Sequence, residues 1–381
     1  KPSPMKTIGI TGQSGFIGTH LYNTLGLYPD KYSRIEFKND YFENPKLLEN
    51  FVQQCDIVIH LAALNRCNDQ KIIYKTNIEL VEKLIKACEV TNAKPHIIFA
   101  SSIQEQLDNE YGKSKKEGRK LLENWAQRNN TIFTALIIPN VFGPFGRPFY
   151  NSVISTFCYQ LTHNESPKID IDKKLPLIYV GELVDEIMKI IDNQPRGINN
   201  IILSHTSEAN VSEILKILND FKDIYFINGI IPNIESNFKL NLFNTFVSYI
   251  DHENYYPINL KSNIDNRGNF VELIKLHTGG QVSFSTTKAG VTRGDHFHTR
   301  KFERFAVISG CAKIDIRRIG TDQVLSFDID GNSPAYVDMP IWYTHNITNI
   351  GNEDLYTIFW INEIFDADDP DTYFEKVGKG E

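Results

Sequence analysis

Apolar positions along the first half of the chain follow two alternating rhythms. Short, nearly continuous apolar runs, TIGIT (7–11), DIVIHLAA (56–63), HIIFASS (96–102) and FTALIIPNVFG (133–143), have the density of strands. Between them FIGTHLYNTL (16–25), NIELVEKLIKACEVT (77–91) and YGKSKKEGRKLLENWAQRN (111–129) space their apolar residues at helical intervals. Strands alternating with helices of three or more turns predict βαβ units and a parallel sheet buried on both faces. From 199 to 249 the pattern turns irregular and Asn-rich, with one helix expected in VSEILKILNDF (211–221). After about Pro257 the helical period gives way to short β-branched and aromatic runs bounded by Gly, Asn, Asp or Pro. These include NFVELIKL (269–276), QVSFSTTK (281–288), ERFAVISG (303–310), AKIDIRRI (312–319) and YTIFWINEI (356–364). Their even spacing predicts an antiparallel sandwich or barrel, with a domain boundary near 245–258.

A chain of 381 residues also exceeds what one ordinary core accommodates, so two domains are expected. The net charge of −7 argues against nucleic acid as a partner, and no Lys/Arg run points to a membrane surface. No apolar run approaches the roughly 18 residues that span a bilayer. Cys55, Cys67, Cys88, Cys158 and Cys311 are odd in number, scattered and never in a CxxC, which predicts reduced thiols in a cytoplasmic protein. The strand-like KTIGITG begins too early for a secretory leader, and Lys1–Pro4, ahead of Met5, are expected to stand outside the fold.

The loop TGQSGFIG (11–18) follows a predicted strand and opens a helix. Gly12, Gly15 and Gly18 permit a tight turn and close backbone approach, so a pyrophosphate can rest on the helix N-terminus beside Ser14, Phe16 and Ile17. Farther on, Tyr111 and Lys115 form a YxxxK pair one helical turn apart, preceded by Ser101 and Ser102 at the end of a strand. A phenol with a pKa near about 10 needs help to exchange protons at neutral pH. Lys115 can supply the charge that lowers it, while a serine hydroxyl holds a carbonyl oxygen beside it. An isolated YxxxK is most often a solvated helix start; here loop and pair stand in the right order on the right elements.

Residues 5 to about 245 thereby resemble an extended short-chain dehydrogenase/reductase acting on a nucleotide sugar. The resemblance implies a catalytic Ser102, Tyr111 and Lys115, with Ser101 adjacent. It implies cofactor contacts at Asp56, Leu61, Ala62 and Ala63 of DIVIHLAA, and a helix asparagine at Asn77. It also implies a substrate contact at Asn140 in PNVFGP (139–144). Ile137 and Glu182 depart from the family, which more often has Arg and Asp there. Glu36 stands where a ribose 2′-OH would favour NAD, whereas Lys38 and Arg34 could meet a 2′-phosphate. By pattern the choice is even. Arg147 is expected to meet a diphosphate or, in the plainer reading, solvent.

In the C-terminal part, His296 and His298 are i, i+2 and so share one face of a strand. With Glu303 and His345 they make a set suited to Zn, Mn, Fe, Ni or Cu. The spacing of Gly290, His296, His298, Glu303 and Gly310 resembles the first cupin motif. Pro340, His345 and Asn349 match the second, with Trp342 in place of its Gly. A plainer expectation is a hydrogen-bonded histidine cluster without metal. NRGNF (266–270) and VTRGDH (291–296) are similar to the deoxysugar 3,5-epimerase branch of the cupins, which implies that His296 is a base beside a 4-keto group. Ligand and base both stay open for His296, and Lys275, expected at a strand end nearby, is a weaker acid/base.

Over residues 5–377 the chain resembles the CapF family of capsule and O-antigen synthesis. That implies an α/β Rossmann-type, doubly wound parallel sheet (5–250, reductase) followed by an all-β cupin, or jelly-roll, barrel (255–381, epimerase). It further implies zinc in the barrel, NADPH rather than NAD, and a homodimer. The implied substrate is a UDP-linked 4-keto-6-deoxy amino sugar, epimerised at C3 and then reduced at C4 to a UDP-N-acetyl-6-deoxy-talosamine-type product. The order is dictated by chemistry, since reduction destroys the ketone that acidifies C3–H. The competing expectation is a plain reductase whose cupin serves only dimerisation or binding.

Overall fold

The computed structural model describes residues 5–266 and 268–378; Lys1–Pro4, Arg267 of the NRGNF segment and 379–381 lie outside the described residues. The chain falls into two compact units. One runs to Thr156 and resumes over Ile169–Val211; the other comprises Phe157–Lys168 and the chain from Ser212 onward. Residues 212–250, ahead of the boundary expected near 245–258, thus group with the β-rich unit in compactness.

In the first unit, β1 (Lys6–Thr11), β2 (Tyr32–Ile35), β3 (Ile57–His60), β4 (His96–Ser102) and β5 (Phe133–Ile138) form a parallel sheet. Strands β6 (Asn140–Phe142), β7 (Lys174–Tyr179) and β9 (Ser207–Asn210) make a small second sheet, and β8 (Ile198–Ile202) extends the first. The large sheet has the order β2-β1-β3-β4-β5-β8, so the winding reverses at β1. A crevice consequently opens between the C-terminal ends of β1 and β3, where ligands of such sheets bind.

Each strand feeds two cores because successive side chains face opposite ways. Ile57 and Ile59 join Leu21 and Leu25 of α1 (Phe16–Leu25) on one face. Val58 between them joins Phe51 of α2 (Pro45–Gln54), Leu84 of α3 (Gln70–Thr91) and Trp125 of α4 (Glu110–Asn129) on the other. At about 1.5–3 kcal/mol for each such side chain buried, these two cores hold the layers together. The helices α5 (Val153–Thr162, grouped with the second unit from Phe157) and α6 (Val180–Asn193) follow, and Leu183 and Ile187 of α6 pack beside α1's residues.

Besides Phe157–Lys168, the second unit holds α7 (Val211–Phe221, grouped with it from Ser212) and α8 (Asn237–Val247). Sequence periodicity showed α7 but missed α8, whose residues Leu242–Val247 are all buried, so no polar face marks a helical period. The strands after it are β10 (Ile258–Asn259), β11 (Ser262–Asp265), β12 (Gly268–Val271), β13 (Gln281–Thr287), β14 (Thr292–Phe297) and β15 (Glu303–Ser309). They continue as β16 (Cys311–Arg318), β17 (Val324–Asp330), β18 (Ala335–Met339), β19 (Tyr343–Asn349), β20 (Leu355–Ile361) and β21 (Tyr373–Phe374). Two antiparallel five-stranded sheets, β10-β18-β15-β20-β13 and β17-β16-β19-β14-β21, face one another as a jelly-roll.

The inner faces supply Ile314, Ile316, Val337 and Met339, all fully buried. On the outer face of β15 the Arg304 guanidinium donates to both Asp338 carboxylate oxygens, at 2.7 and 2.8 Å. Tyr225, from the turn at Lys222–Ile227, donates to the same carboxylate at 2.7 Å, and Arg304 lies 3.7 Å over the Tyr336 ring. This ion pair, 1% and 0% exposed, seals helical residues onto the sheet and explains why 212–250 belong to this unit. Removing one partner of a buried pair strands the other charge, so Asp338→Asn should cost about 3–5 kcal/mol in denaturant unfolding. Arg304→Met/Asp338→Leu together should lose less than the sum of the singles; additive losses would contradict this account.

Candidate functional site

The glycine loop at the end of β1 packs closely against the segment that leaves β3. Gly12 has φ +74°, and a Cβ there would come within 2.9 Å of the Ala62 backbone nitrogen. A Cβ on Gly18 would meet the Gly12 carbonyl at 2.2 Å, so α1 can start this close to the loop only without side chains. Gly15 is the N-cap, no side chain caps the helix and no acid occupies its first turn. Its first N–H groups therefore remain for an anion, with Ser14 and Gly15 exposed and Phe16 and Ile17 half-buried beside them. Leu61, Ala62 and Ala63 leave the end of β3 opposite this loop, the Leu61 N–H donating to the Thr11 carbonyl at 3.2 Å.

Around the adenosine end the structure sorts the expected residues. Lys38 and Glu36 are exposed and 3.9 Å apart. Arg34 stacks 4.3 Å over Tyr22 and donates to the Tyr22 carbonyl at 2.9 Å, contacts that hold its guanidinium against α1. Asn39, which no spacing singled out, reaches Ser14 at 3.5 Å and so joins Lys38 beside the loop.

Two residues expected at the cofactor make contacts within the protein. Asp56 precedes β3, at the opposite end of the sheet from the loop, where its carboxylate accepts from the Thr7 N–H and hydroxyl at 2.8 Å. It ties β1 to the start of β3. Asn77 is buried, and its amide is spent on protein: Oδ1 accepts from Leu64 N–H at 2.7 Å, and Nδ2 donates to the Leu64 carbonyl and Ser114 hydroxyl. It braces the strand-end segment against α4.

Tyr111 and Lys115 occupy the first turns of α4, beside the end of β4. Lys115 is buried, its ammonium 5.7 Å from the Tyr111 ring centroid and donating to the Ala100 carbonyl at 2.9 Å. Burial lowers its pKa to about 8. Burial also pushes the Tyr111 phenol up, with a further push from Tyr150, so here the phenol is raised and not lowered as the sequence suggested. The two serines differ. Ser101 is buried and donates to Glu105, which Arg119 grips in turn. Ser102 is half-buried and accepts from the Gln104 N–H at 3.1 Å, which leaves its own hydrogen to donate.

Asn140 is half-buried and donates to the Pro176 carbonyl at 3.0 Å, joining β6 to β7. Arg147 is exposed, 5.2 Å over the Tyr150 ring. Tyr150, another residue that spacing did not reveal, accepts from the Asn65 N–H at 3.1 Å and lies near enough to raise the Tyr111 pKa.

In the barrel the four expected side chains do converge. Ligating atoms of His296, His298, Glu303 and His345 all lie within 4.8 Å of one another, drawn from both sheets. Glu303 Oε2 sits 3.2 Å from His298 Nε2 and 3.1 Å from His345 Nε2, yet none of these three buried atoms has a hydrogen-bond partner. The opposite ring nitrogens explain why. His298 Nδ1 meets the Asp371 carbonyl at 2.5 Å and His345 Nδ1 the Tyr343 carbonyl at 3.1 Å. A carbonyl only accepts, so both Nδ1 atoms carry the hydrogen and a neutral ring presents a lone pair at Nε2.

Two imidazole lone pairs and a carboxylate thus face one another, a donor set that fits a divalent metal such as zinc. Burial alone would raise the Glu303 pKa; when the two imidazoles are protonated at Nε2 as well, their hydrogen bonds and charge outweigh burial and hold the carboxyl below the usual range. A proton can answer the same need: burial opposes charge on His298, while Glu303 and Asp371 raise its pKa. His296 touches neither carboxylate oxygen within ion-pair distance. Burial, then His345 and His298, lower it to about 4, so it is neutral.

Trp342 has φ +61°, which accounts for the glycine usual at that motif position. Its ring stacks on Phe297, which stacks on Tyr373. Lys275 is not at this cluster. Its strand stops at Val271, its ammonium pairs with Glu272 at 2.9 Å, and it lines a cleft with Arg304 and Tyr336 on the far side of β15 from Glu303. Adjacent strand residues point to opposite faces, so this position gives Lys275 no route to the histidines.

Residues 8–202 match the NAD dependent epimerase/dehydratase family, and 263–373 the polysaccharide biosynthesis C-terminal domain. UDP-2-acetamido-2,6-β-L-arabino-hexul-4-ose reductase from Pseudomonas aeruginosa is 30% identical over 377 residues, 97% of this chain and 99% of that protein. The crystal structure of capsular polysaccharide assembling protein CapF from Staphylococcus aureus is 34% identical with a TM-score of 0.60, covering 97% of this chain and 100% of that one. RMD from Pseudomonas aeruginosa, solved with NADPH, shares the fold at 18% identity and a TM-score of 0.51, over 57% of this chain and 82% of its own. The chain therefore belongs to the NAD-dependent epimerase/dehydratase family, in the CapF-type form that carries a polysaccharide-biosynthesis C-terminal domain.

Proposed function

We propose that the chain is a two-site enzyme of surface-polysaccharide precursor synthesis. The barrel epimerises C3 of a UDP-2-acetamido-2,6-dideoxy-4-hexulose, and the α/β unit then reduces its C4 ketone with NADPH. The product is a UDP-N-acetyl-6-deoxy-talosamine-type sugar. The observation that carries the reading is the pairing, in one chain, of a Tyr111–Lys115–Ser102 set beside a nucleotide cradle with a separate acid/base cluster. The full-length relative named as a hexul-4-ose reductase supports the substrate class. Lys38 and Asn39 beside Ser14, with Arg34 held against α1, support a 2′-phosphate held by one cation and an amide. A homodimer acting in the cytoplasm is part of the reading, on the family resemblance and the free cysteines.

The residues divide the work. Ser102 donates its hydrogen bond to the C4 oxygen and fixes the ketone. Tyr111, kept protonated by burial, delivers its proton to that oxygen as negative charge develops. Lys115 holds positive charge beside the phenol and steadies the phenolate left behind. Bound NADPH supplies the hydride. In the barrel, C3–H is acidic only because the C4 carbonyl delocalises the carbanion. His296, neutral and outside the tight trio, takes that proton; a solvent-derived proton added to the opposite face completes inversion, and His296 releases its own to solvent. His298, Glu303 and His345 would hold zinc, whose positive charge would ease removal of the C3 proton.

Tyr111→Phe should abolish C4 reduction, with a loss of at least about 100-fold, and leave solvent exchange at C3 intact. Joint loss of both activities contradicts two separate sites. The charged form of Lys115 is the useful one, and its pKa is depressed. In kcat/KM for reduction, activity should therefore be full below about pH 8 and fall as pH rises through that value. A profile flat to pH 10 contradicts the role given to Lys115.

A further inference from the structure

One segment remote in sequence runs past the whole histidine cluster. This strap spans Asp371 to Val377. β21 pairs antiparallel with β14 and sets Phe374 opposite His296. The hydroxyl of Thr344, next to His345, donates to the Glu375 carbonyl. Val377 N–H donates at 3.1 Å to Asp295, the positive-φ residue at the bulge just before His296.

The most direct contact comes from Asp371, which is 2% exposed and has φ +41°. Its main-chain carbonyl accepts from His298 Nδ1 at 2.5 Å. Its carboxylate accepts from the Thr299 N–H and hydroxyl at 3.0 and 2.6 Å, and from the Arg300 and Lys301 N–H groups at 2.9 and 3.0 Å. Three successive N–H groups curled around one anion fix the path of the chain between His298 and Glu303. The neighbouring contacts reinforce the latch: Lys301 Nζ donates to the Pro370 carbonyl at 2.6 Å, and Arg300 pairs with Asp369 at 2.9 Å.

Taken with the metal reading of the cluster, on which this step rests, we propose that Asp371 is a positioning residue of the metal centre. Its carbonyl locks the His298 ring with Nε2 turned toward Glu303, and its carboxylate spaces those two ligands. Outer partners of this kind affect metal affinity by about 10–100-fold.

The test compares zinc affinity of the full chain, by competition with a chromophoric chelator, in wild type, Asp371→Gly and Asp371→Asn. Glycine keeps the carbonyl, accepts the positive φ and removes the carboxylate. Asparagine keeps the volume but turns an amide N–H toward other donors. Ile329→Ala, a core truncation on the edge strand β17, is the stability control. Both Asp371 variants should bind zinc about 10–100-fold more weakly, while Ile329→Ala keeps wild-type affinity despite a lower melting temperature. Equal affinity in wild type and both Asp371 variants overturns the proposal, as does equal weakening by Ile329→Ala. Should Asp371→Gly fail to fold, Asp371→Asn carries the comparison. A wild-type chain that takes up no zinc overturns the metal reading and this step with it, a result distinct from a variant-specific loss.

Discussion

A single carboxylate oxygen, Glu303 Oε2, lies between His298 Nε2 and His345 Nε2 at 3.2 and 3.1 Å. Both rings have committed their other nitrogen to a carbonyl, so acceptors face acceptors in a buried place. Such a cluster is stable only around positive charge, whether metal or proton. The barrel is arranged to maintain it: His296 and His345 come from one sheet, Glu303 from the other, and the strap at 371–377 closes against β14. On the outer side of the same strand, Arg304 and Asp338 satisfy the opposite problem with each other. One β-strand thus carries a buried acid on its inner face and a buried base on its outer face.

Much of this was legible in the chain. The parallel sheet showed itself because strands buried on both faces read as unbroken apolar runs, and the barrel because its short strands are punctuated by turn residues. The His296, His298, Glu303 and His345 set was legible from its motif spacing, and the fold gathers it from β14, the turn after it, β15 and β19. Other features are set by tertiary partners that no spacing encodes. Residues 242–247 are buried all round, so α8 has no amphipathic signature, and its grouping with the β-rich unit leaves no mark in the spacing.

Asp56, Asn77, Arg34 and Lys275 share a different reason. Each is the right residue type at a plausible distance along the chain, but hydrogen bonds or a strand face take its side chain elsewhere. Asp371 shows the converse. It lies 73 residues from His298 in sequence, yet its carbonyl sets that imidazole's tautomer, a role invisible without the fold.

The proposed function ties two different chemistries to one functional group. A 4-keto group makes C3–H removable and is itself what the α/β unit reduces, so the first step must use the ketone before the second consumes it. The most direct test is a proton NMR time course in D2O with the UDP-linked 4-keto sugar, run with and without NADPH. Without NADPH the account predicts deuterium entering C3 and no change at C4; with NADPH it predicts a C4 alcohol carrying deuterium at C3. Reduction at C4 with hydrogen fully retained at C3 would contradict it, and would leave the barrel a binding or assembly module on a plain reductase.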